Sequence, residues 1–246
     1  MCLNMKSKPG CCFLILVCFF FLKSFAQKPT TVPKNGYGLE VITNEQLYHE
    51  LVSTDSSFCM VSLTDWVPGA ILDLRYAGKN NFMHGPMYPV DTKISFLRLP
   101  AAVALKKVEE ELSLNGMHLK IFDAYRPFSV TVKFWEAVHD ERYVANPKYG
   151  SGHNKGLAVD LTITDSTGKE LNMGTCFDNF TDTAYQAFAY LPKQVLDNRS
   201  LLRTVMEKYG FIEFVTEWWH YSFKYDGYSP LYDLPFTSLS ELSLRQ

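Results

Sequence analysis

Apolar and polar residues alternate with a period of two along one stretch of the chain, SGHNKGLAVDLTIT, residues Ser151–Thr164. A period of two in a β-branched run predicts a strand. The alternation divides the strand into two faces: Ala158, Asp160 and Thr162 on one, and Val159, Leu161 and Ile163 on the other. His153 and a glycine turn at Gly156 come directly before it. The pattern therefore brings an imidazole and a carboxylate to the same end of a strand.

Helical spacing of apolar residues appears in other parts of the chain. Helices are predicted after Asn44 as an N-cap, over residues 101–114 between Pro100 and Gly116, after Pro127, and between Asn198 and Gly210. These boundaries follow from local chemistry, because asparagine caps a helix start, proline suits the first turn, and glycine follows the last turn.

Further extended segments lie between these helices. They are predicted at Val61–Leu74, with a break at Pro68-Gly69, and at residues 118–122, 211–215 and 219–223. Strands and helices are interleaved without the regular βαβ spacing that a parallel sheet needs. We therefore expect an α+β fold with a mainly antiparallel sheet and flanking helices.

The first 26 residues have the organisation of a secretory signal peptide. Lys6 and Lys8 precede an apolar run, Cys11–Leu22, and Ser24-Phe25-Ala26 supplies small residues before Gln27. Twelve apolar residues are too few to span a bilayer as a stable helix, so a retained membrane anchor is the weaker interpretation. We expect a periplasmic or secreted protein that begins near Gln27.

The length and composition of the remaining chain indicate a single domain. Removing residues 1–26 takes away three lysines and no acid, so the formal charge changes from −2 to −5, which argues against a nucleic-acid partner. The proline-rich, polar residues 27–43 are predicted to be a linker, and residues 44–246 are long enough for one well-filled catalytic domain. Cys59 and Cys176 could form a disulfide or remain buried thiols.

A second motif, near the end of the chain, contains a further imidazole and a further carboxylate: Glu217-Trp218-Trp219-His220. A catalytic zinc site takes three protein ligands and leaves a fourth position open, and His153, Asp160 and His220 provide such a set. Glu217 is then available as a general base. In a regular strand Glu217 and His220 would face opposite ways, so the Trp218-Trp219 step must bend or bulge if both are to reach one metal.

The ordered pattern SxHxxGxAxD followed by ExWH resembles the zinc D-alanyl-D-alanine dipeptidase family (VanX-type). Zinc D,D-carboxypeptidases and hedgehog-type domains share this ligand pattern. The resemblance extends from about Ala70 to Pro235 and implies a hedgehog/D,D-peptidase-like fold, one Zn²⁺ per chain and a small dipeptide substrate.

The resemblance also implies roles for residues outside the metal set. Arg126, in Asp-Ala-Tyr-Arg-Pro, matches the family's transition-state arginine, and Asp178 matches the aspartate that receives the substrate's free amino group. By the same match, Ser151 is a substrate-contacting serine, and Tyr76 and Tyr88 are pocket tyrosines.

Three functions are compatible with the motifs. The first is hydrolysis of free D-Ala-D-Ala during peptidoglycan turnover, with Asp178 binding the ammonium group. The second is a zinc D,D-carboxypeptidase or endopeptidase on longer peptidoglycan stems, for which Asp178 has no clear use. The third is a non-enzymatic, zinc-containing wall-binding domain, which would not need both Arg126 and Glu217. The sequence does not predict the oligomeric state or the stereochemical preference.

Overall fold

The computed structural model describes residues 30–90 and 92–243. The predicted signal peptide, residues 1–26, lies outside the described residues, as does the beginning of the predicted linker. Within the described ranges, no helix is both long enough and apolar enough to cross a membrane.

Capping residues and prolines determine where several helices begin. In the described residues the α-helices are α1 (Glu45–Thr54), α2 (Leu63–Trp66), α3 (Leu99–Ser113), α4 (Phe128–Val138), α5 (Lys193–Lys208) and α6 (Phe236–Ser243). The Asn44 side chain accepts a hydrogen bond from the Leu47 amide at 2.9 Å and caps α1, as predicted. Pro100 lies in the first turn of α3, and Pro127 and Pro192 immediately precede α4 and α5.

The strands of the described residues are β1 (Val41–Ile42), β2 (Met60–Ser62), β3 (Ile71–Leu72), β4 (Phe96–Arg98), β5 (His118–Asp123), β6 (Ala158–Thr164), β7 (Phe211–Phe214), β8 (Glu217–Phe223) and β9 (Leu231–Tyr232). The largest sheet among them has the order β3-β5-β6-β8-β7. Strand β3 pairs parallel to β5, and the other neighbouring pairs of this sheet are antiparallel. The predicted α+β class with a mainly antiparallel sheet is confirmed, although β3 makes the sheet mixed.

Both faces of the central strand β6 are buried, from Ala158 to Thr164. Helix α3 packs against β5, α5 packs against β7, and the two helices contact each other. Leu105 and Val108 of the apolar stripe of α3 are at 0% exposure, whereas Val103 is 38% exposed. The polar face of the alternating pattern therefore lies inside the molecule, where a polar side chain needs a partner.

The register of the sheet places three polar residues in one row. Asp123 on β5 lies opposite Asp160 on β6, and Asp160 lies opposite His220 on β8. A register shift between Ile121 and Asp123 brings Asp123 opposite Asp160. Such a bulge re-aims a side chain, and the Asp123 carboxylate accepts hydrogen bonds from Arg126 and Tyr88.

Two boundaries differ from the sequence-based predictions. Helix α5 begins at Lys193, because Pro192 starts the helix before the expected cap at Asn198. Asn198 lies within the helix, and its Nδ2 donates to the Asn172 carbonyl at 2.9 Å. The predicted extended segment Val61–Leu74 is interrupted by the short helix α2.

The described part of the predicted linker, residues 30–43, packs against the domain. Val32 is buried, and β1 forms a parallel pair with β9, in which Val41 lies opposite Leu231. This segment differs from a solvated linker because Val32, Val41 and Ile42 are buried. Of the cysteines predicted to pair or remain thiols, Cys59 is buried near the Tyr48 hydroxyl and Cys176 is exposed.

Candidate metal and active site

Three side chains from separate parts of the chain converge with the geometry of a metal site. The ligand atoms of His153, Asp160 and His220 all lie within 4.8 Å of one another. His153 Nε2 is 3.2 Å from His220 Nδ1 and 3.4 Å from Asp160 Oδ1, and the His220 Nδ1 to Asp160 Oδ1 distance is 2.9 Å. A tetrahedral ion with bonds of about 2.0–2.2 Å requires donors about 3.3 Å apart, so the set fits such an ion.

His153 is held by a tight turn with a defined orientation. It begins a 3₁₀ turn, His153–Lys155, that ends at Gly156 with φ of 63°. A Cβ at Gly156 would lie 2.7 Å from Met60 Sδ, so the turn requires glycine for both conformation and space. The Nδ1 of His153 is 2.7 Å from the Ala124 carbonyl, which fixes the proton on Nδ1 and leaves the Nε2 lone pair directed at the other two donors.

Asp160 and His220 meet because they are directly opposite each other on paired antiparallel strands. Burial alone would raise the pKa of Asp160, but His153 and His220 outweigh it and hold the pKa below its usual range. Asp160 is therefore an anionic donor. His220 presents Nδ1 to the cluster, and its Nε2 is 3.3 Å from Ser222 Oγ, which supports the complementary tautomer.

The Glu217 carboxylate reaches the same cavity through a large bulge in β8. Glu213 of β7 lies opposite Tyr221, whereas the next residue, Phe214, lies opposite Glu217. Three residues of β8 thus have no partner on β7, and Glu217 Oε2 comes within 3.9 Å of His220 Nδ1. Burial raises the pKa of Glu217 to about 7; His220 opposes this rise and Asp160 adds to it. The predicted bend at the tryptophan pair is present.

Arg126 lies at the junction of β5 and α4, where its guanidinium is oriented by Asp123. Its Nε and Nη2 donate to Asp123 Oδ2 at 3.0 and 2.7 Å, and its plane lies over the ring of Phe134 at 4.8 Å. Within the described residues Nη1 makes no hydrogen bond, and Arg126 lines the cavity. A donor of this guanidinium is therefore available to a ligand.

Asp178 lies on another wall of the cavity. Its backbone adopts the left-handed conformation, with φ of 58°. Its Oδ1 accepts a hydrogen bond from the Tyr76 hydroxyl at 3.1 Å, and its Oδ2 accepts one from the Phe82 amide at 3.2 Å. Burial, followed by repulsion from Asp160, raises the pKa of Asp178 to about 7. Burial also raises the pKa of Tyr76, which keeps its hydroxyl protonated as a donor.

The cavity has a volume of about 280 Å³ and brings together most of the sequence-predicted residues. Its lining includes the following predicted residues: Tyr76, Arg126, Ser151, His153, Asp160, Asp178, Glu217 and His220. Ser151 Oγ accepts the His153 amide at 3.2 Å, so this serine also supports the turn. Tyr88 does not line this cavity in the described structure; it is buried and donates to Asp123 Oδ1 at 2.6 Å. Tyr88 and Arg126 thus share the Asp123 carboxylate, and the substrate contact of Tyr88 stays a prediction.

Sequence reasoning assigned no role to Asp123 or Ser222. Asp123 is 0% exposed and receives hydrogen bonds from Arg126, Tyr88 and the Ala124 amide. The sequence feature that could have identified Asp123 is its position at the end of a predicted strand, three residues before Arg126. Ser222 follows His220 by two residues on the same face of β8, but nothing in its local sequence distinguishes it.

Comparisons with known proteins identify the family and the relatives of this chain. A model of the Peptidase_M15 family, D-ala-D-ala dipeptidase, matches residues 56–238. A D-alanyl-D-alanine dipeptidase of Escherichia coli (strain K12) is 33% identical over 172 residues, which cover 70% of this chain and 88% of that protein. One from Enterococcus faecium is 29% identical over 195 residues, which cover 70% and 96% of the two chains.

Among solved structures, a vancomycin-resistance D,D-pentapeptidase, VanY, in complex with Zn(II) is 16% identical and covers 55% of this chain and 75% of that one. Its TM-score of 0.33 is too low to support a conclusion about this protein. The family model, in contrast, spans well over half of the chain, and the resemblance seen in the motifs is confirmed. The chain belongs to the D-ala-D-ala dipeptidase family of metallopeptidases, Peptidase_M15.

Proposed function

We propose that this protein hydrolyses the free dipeptide D-Ala-D-Ala with one Zn²⁺ held by His153, Asp160 and His220. The observation that carries the proposal is the spacing of these three donors, 2.9 to 3.4 Å apart, with the Glu217 carboxylate beside them. Two imidazoles and a carboxylate are typical zinc ligands, and three protein ligands leave one position open. Membership of the dipeptidase family supports the choice of substrate.

The bound ion would supply Lewis acidity to a peptide carbonyl and to water. Glu217 would accept a proton from the attacking water and deliver it to the leaving amine, because its carboxylate lies next to the ligand His220. Arg126 would donate from Nη1 to the carbonyl oxygen as negative charge develops there. Asp123 holds the guanidinium in place, so this donor needs little reorganisation during the reaction.

The two ends of the substrate are distinguished by charge. Asp178 would pair with the α-ammonium group, and the ammonium would draw its raised pKa downward so that the carboxylate form is bound. A longer or N-blocked peptide would leave this carboxylate without a cation, which disfavours binding. Ser151, at the cavity wall, would contact the substrate near the metal ligands.

We also propose that the protein acts outside the cytoplasm in peptidoglycan turnover. The support is the signal-peptide organisation of residues 1–26 together with a substrate that occurs in the bacterial cell wall. Fractionation of cells that express the full chain, followed by N-terminal sequencing of the exported form, tests this location. An uncleaved cytoplasmic protein would contradict it.

Metal analysis combined with a substrate panel tests the proposed reaction. The purified protein should contain about one zinc per chain and release alanine from D-Ala-D-Ala, and His220→Ala should lose both metal and activity. N-acetyl-D-Ala-D-Ala and a stem pentapeptide should be cleaved far more slowly. Equal kcat/KM for free and N-acetylated dipeptides would favour a carboxypeptidase, and a zinc-loaded protein that cleaves none of these substrates would favour a binding domain.

A further inference from the structure

The loop that carries Asp178, residues 172–186, has little regular structure to hold its shape. Within the described chain it contains a 3₁₀ turn at Asp182–Ala184 and no strand. Asp178 adopts φ of 58°, a conformation that few non-glycine residues favour. The position of its carboxylate must therefore be fixed by contacts with neighbouring elements.

Helix α5 provides those contacts through one buried arginine. Arg199 is 5% exposed and donates to three backbone carbonyls: from Nε to Met173 at 2.7 Å, from Nη2 to Thr183 at 2.9 Å, and from Nη1 to Tyr185 at 3.0 Å. Met173 precedes Asp178 by five residues and Thr183 follows it by five. A single guanidinium thus joins the two sides of the loop.

The bonding of Arg199 is unusual for a buried cation. Within the described residues no carboxylate lies within 4.0 Å of its guanidinium, and burial lowers its pKa to about 10. A charged group in such a place is costly unless its donors are used. A planar fork with five N–H groups can reach three separate carbonyls at once, which a lysine ammonium cannot reproduce.

The middle of the loop is attached to the site itself. Trp218 Nε1 donates to Thr175 Oγ1 at 2.7 Å, and Phe177 packs edge-to-face on Trp219 at 5.4 Å. The Asp178 carboxylate then meets Tyr76 and the Phe82 amide. The loop is therefore fixed at its base by α5 and at its tip by the cavity wall.

We propose that Arg199 is a positioning residue that holds Asp178 where it pairs with the ammonium group of the substrate. This inference rests on the proposed dipeptidase function. Arg199 contacts the backbone of the loop and not the cavity, so it acts on binding of the charged end and not on the reacting carbonyl. Its loss should affect KM for the free dipeptide and leave kcat nearly unchanged, since ammonium binding is equal in the ground and transition states.

Arg199→Lys in the zinc-loaded, full-length protein tests the proposal. We expect KM for D-Ala-D-Ala to rise about tenfold, because a misplacement of about 1 Å is enough to weaken a charge contact strongly. Hydrogen exchange of the peptide covering residues 172–186 should become faster, with the zinc content unchanged. The matched control is Arg203→Lys, on the same helix but 41% exposed at its side chain, which should change neither quantity.

Asp178→Asn separates this proposal from the function on which it rests. In the Asp178→Asn background, Arg199→Lys should produce no further rise in KM, because the two act through one contact. An unchanged KM in Asp178→Asn alone overturns the ammonium site, and the role of Arg199 with it. A raised KM in Asp178→Asn together with an unchanged KM in Arg199→Lys overturns the positioning role only.

A second variant keeps the test decisive if Arg199→Lys does not fold. Asn198→Ala removes the neighbouring bond from α5 to the Asn172 carbonyl, at 2.9 Å, and retains the guanidinium. We expect a smaller rise in KM in the same direction, with faster exchange in the same peptide. Because Asn198→Ala retains Arg199, a rise in KM in this variant as large as the tenfold rise expected for Arg199→Lys would overturn the assignment of the positioning role to Arg199.

Discussion

Single residues in the cavity differ in charge because their partners differ. The imidazoles of His153 and His220 hold the pKa of Asp160 below its usual range, whereas burial and the negative charge of Asp160 raise the pKa of Asp178 against two neutral hydrogen bonds and the charge of Arg126. One carboxylate is therefore suited to hold a metal ion. The other is suited to a cationic substrate group that completes its charge balance.

The raised pKa of Asp178 predicts a pH-dependent stability. The folded chain retains this proton up to a pH of about 7, whereas an unfolded aspartate loses it near 3.8. The stability contributed by the group is fully present below pH about 4 and is lost as the pH rises through about 7. Asparagine cannot ionise, so the stability of Asp178→Asn relative to wild type should increase by at most about 3 kcal/mol from pH 5 to pH 8.

Urea unfolding of both proteins at the two pH values measures this difference. Asn also tolerates the positive φ of position 178, so backbone strain is matched. The matched control is Asp226→Asn, which replaces an exposed aspartate outside the cavity lining. A stability difference between Asp178→Asn and wild type that is the same at pH 5 and pH 8 would contradict the raised pKa.

Glu217→Gln tests the proposed base. Glutamine keeps the size and the hydrogen-bonding capacity of the side chain but cannot accept the proton of water, so kcat should fall by about 10² to 10⁴ with zinc retained. Glu213→Gln, on the neighbouring strand β7, is the matched control and should keep normal turnover. Near-normal kcat in zinc-loaded Glu217→Gln would remove the residue from the mechanism.

At the residue scale, the sequence predicted which side chains lie at the cavity better than it predicted their partners. His153, Asp160, His220 and Glu217 could be predicted because their residue types and order are rare in combination. Tyr88 could not be placed, because its orientation depends on the Asp123 carboxylate, which reaches it only after the β5 bulge has formed.

At the scale of elements, the bulge in β8 brings Glu217 and His220 into one cavity. Trp218 and Trp219 fill the space behind it, at 2% and 1% exposure. The sequence indicated a bend here, but the number of unpaired residues depends on the register between β8 and β7, which the local sequence does not specify. For α5, in contrast, the cap at Asn198 was a misleading signal, because the earlier Pro192 determines the start.

Trp219→Ala tests the role of this packing. Removing a buried indole leaves a cavity against Phe177 and should lower the free energy of unfolding by about 3–5 kcal/mol. It should also lower kcat, because the bulge that brings Glu217 and His220 into one cavity loses its support. Trp66→Ala removes a tryptophan that is 38% exposed and should cost much less stability with normal kcat. Equal losses in both variants would argue against a packed bulge.

At the scale of the whole molecule, the proposed ion would link two parts of the chain that are far apart in sequence: the 3₁₀ turn at His153 with the adjoining strand β6, and strand β8. An ion that binds only the folded state stabilises it, by about 4 kcal/mol when its concentration is 1,000 times Kd. The proposed ligands do not include the β1 and β9 pair, which joins residues 41–42 to residues 231–232.

Chelation should therefore lower Tm on the order of 10 °C without abolishing the cooperative transition. Calorimetry with and without chelator measures the shift, and added zinc should restore it. His49→Ala, which removes an exposed histidine of α1, should keep the full shift. His220→Ala should melt at the same temperature with or without chelator, and a chelator-sensitive Tm in that variant would contradict the assigned ligands.

The two histidines present different ring nitrogens, Nε2 from His153 and Nδ1 from His220, and thus reach the site from different distances along the side chain. Nδ1 is bonded to Cγ, the depth at which asparagine carries its amide oxygen, whereas Nε2 matches the longer reach of glutamine. His220→Asn and His153→Gln should therefore retain weakened metal binding. In the exchanged pair, His220→Gln and His153→Asn, the amide oxygen no longer occupies the position of the nitrogen that it replaces. Zinc titration should therefore find a lower affinity for these two variants than for His220→Asn and His153→Gln.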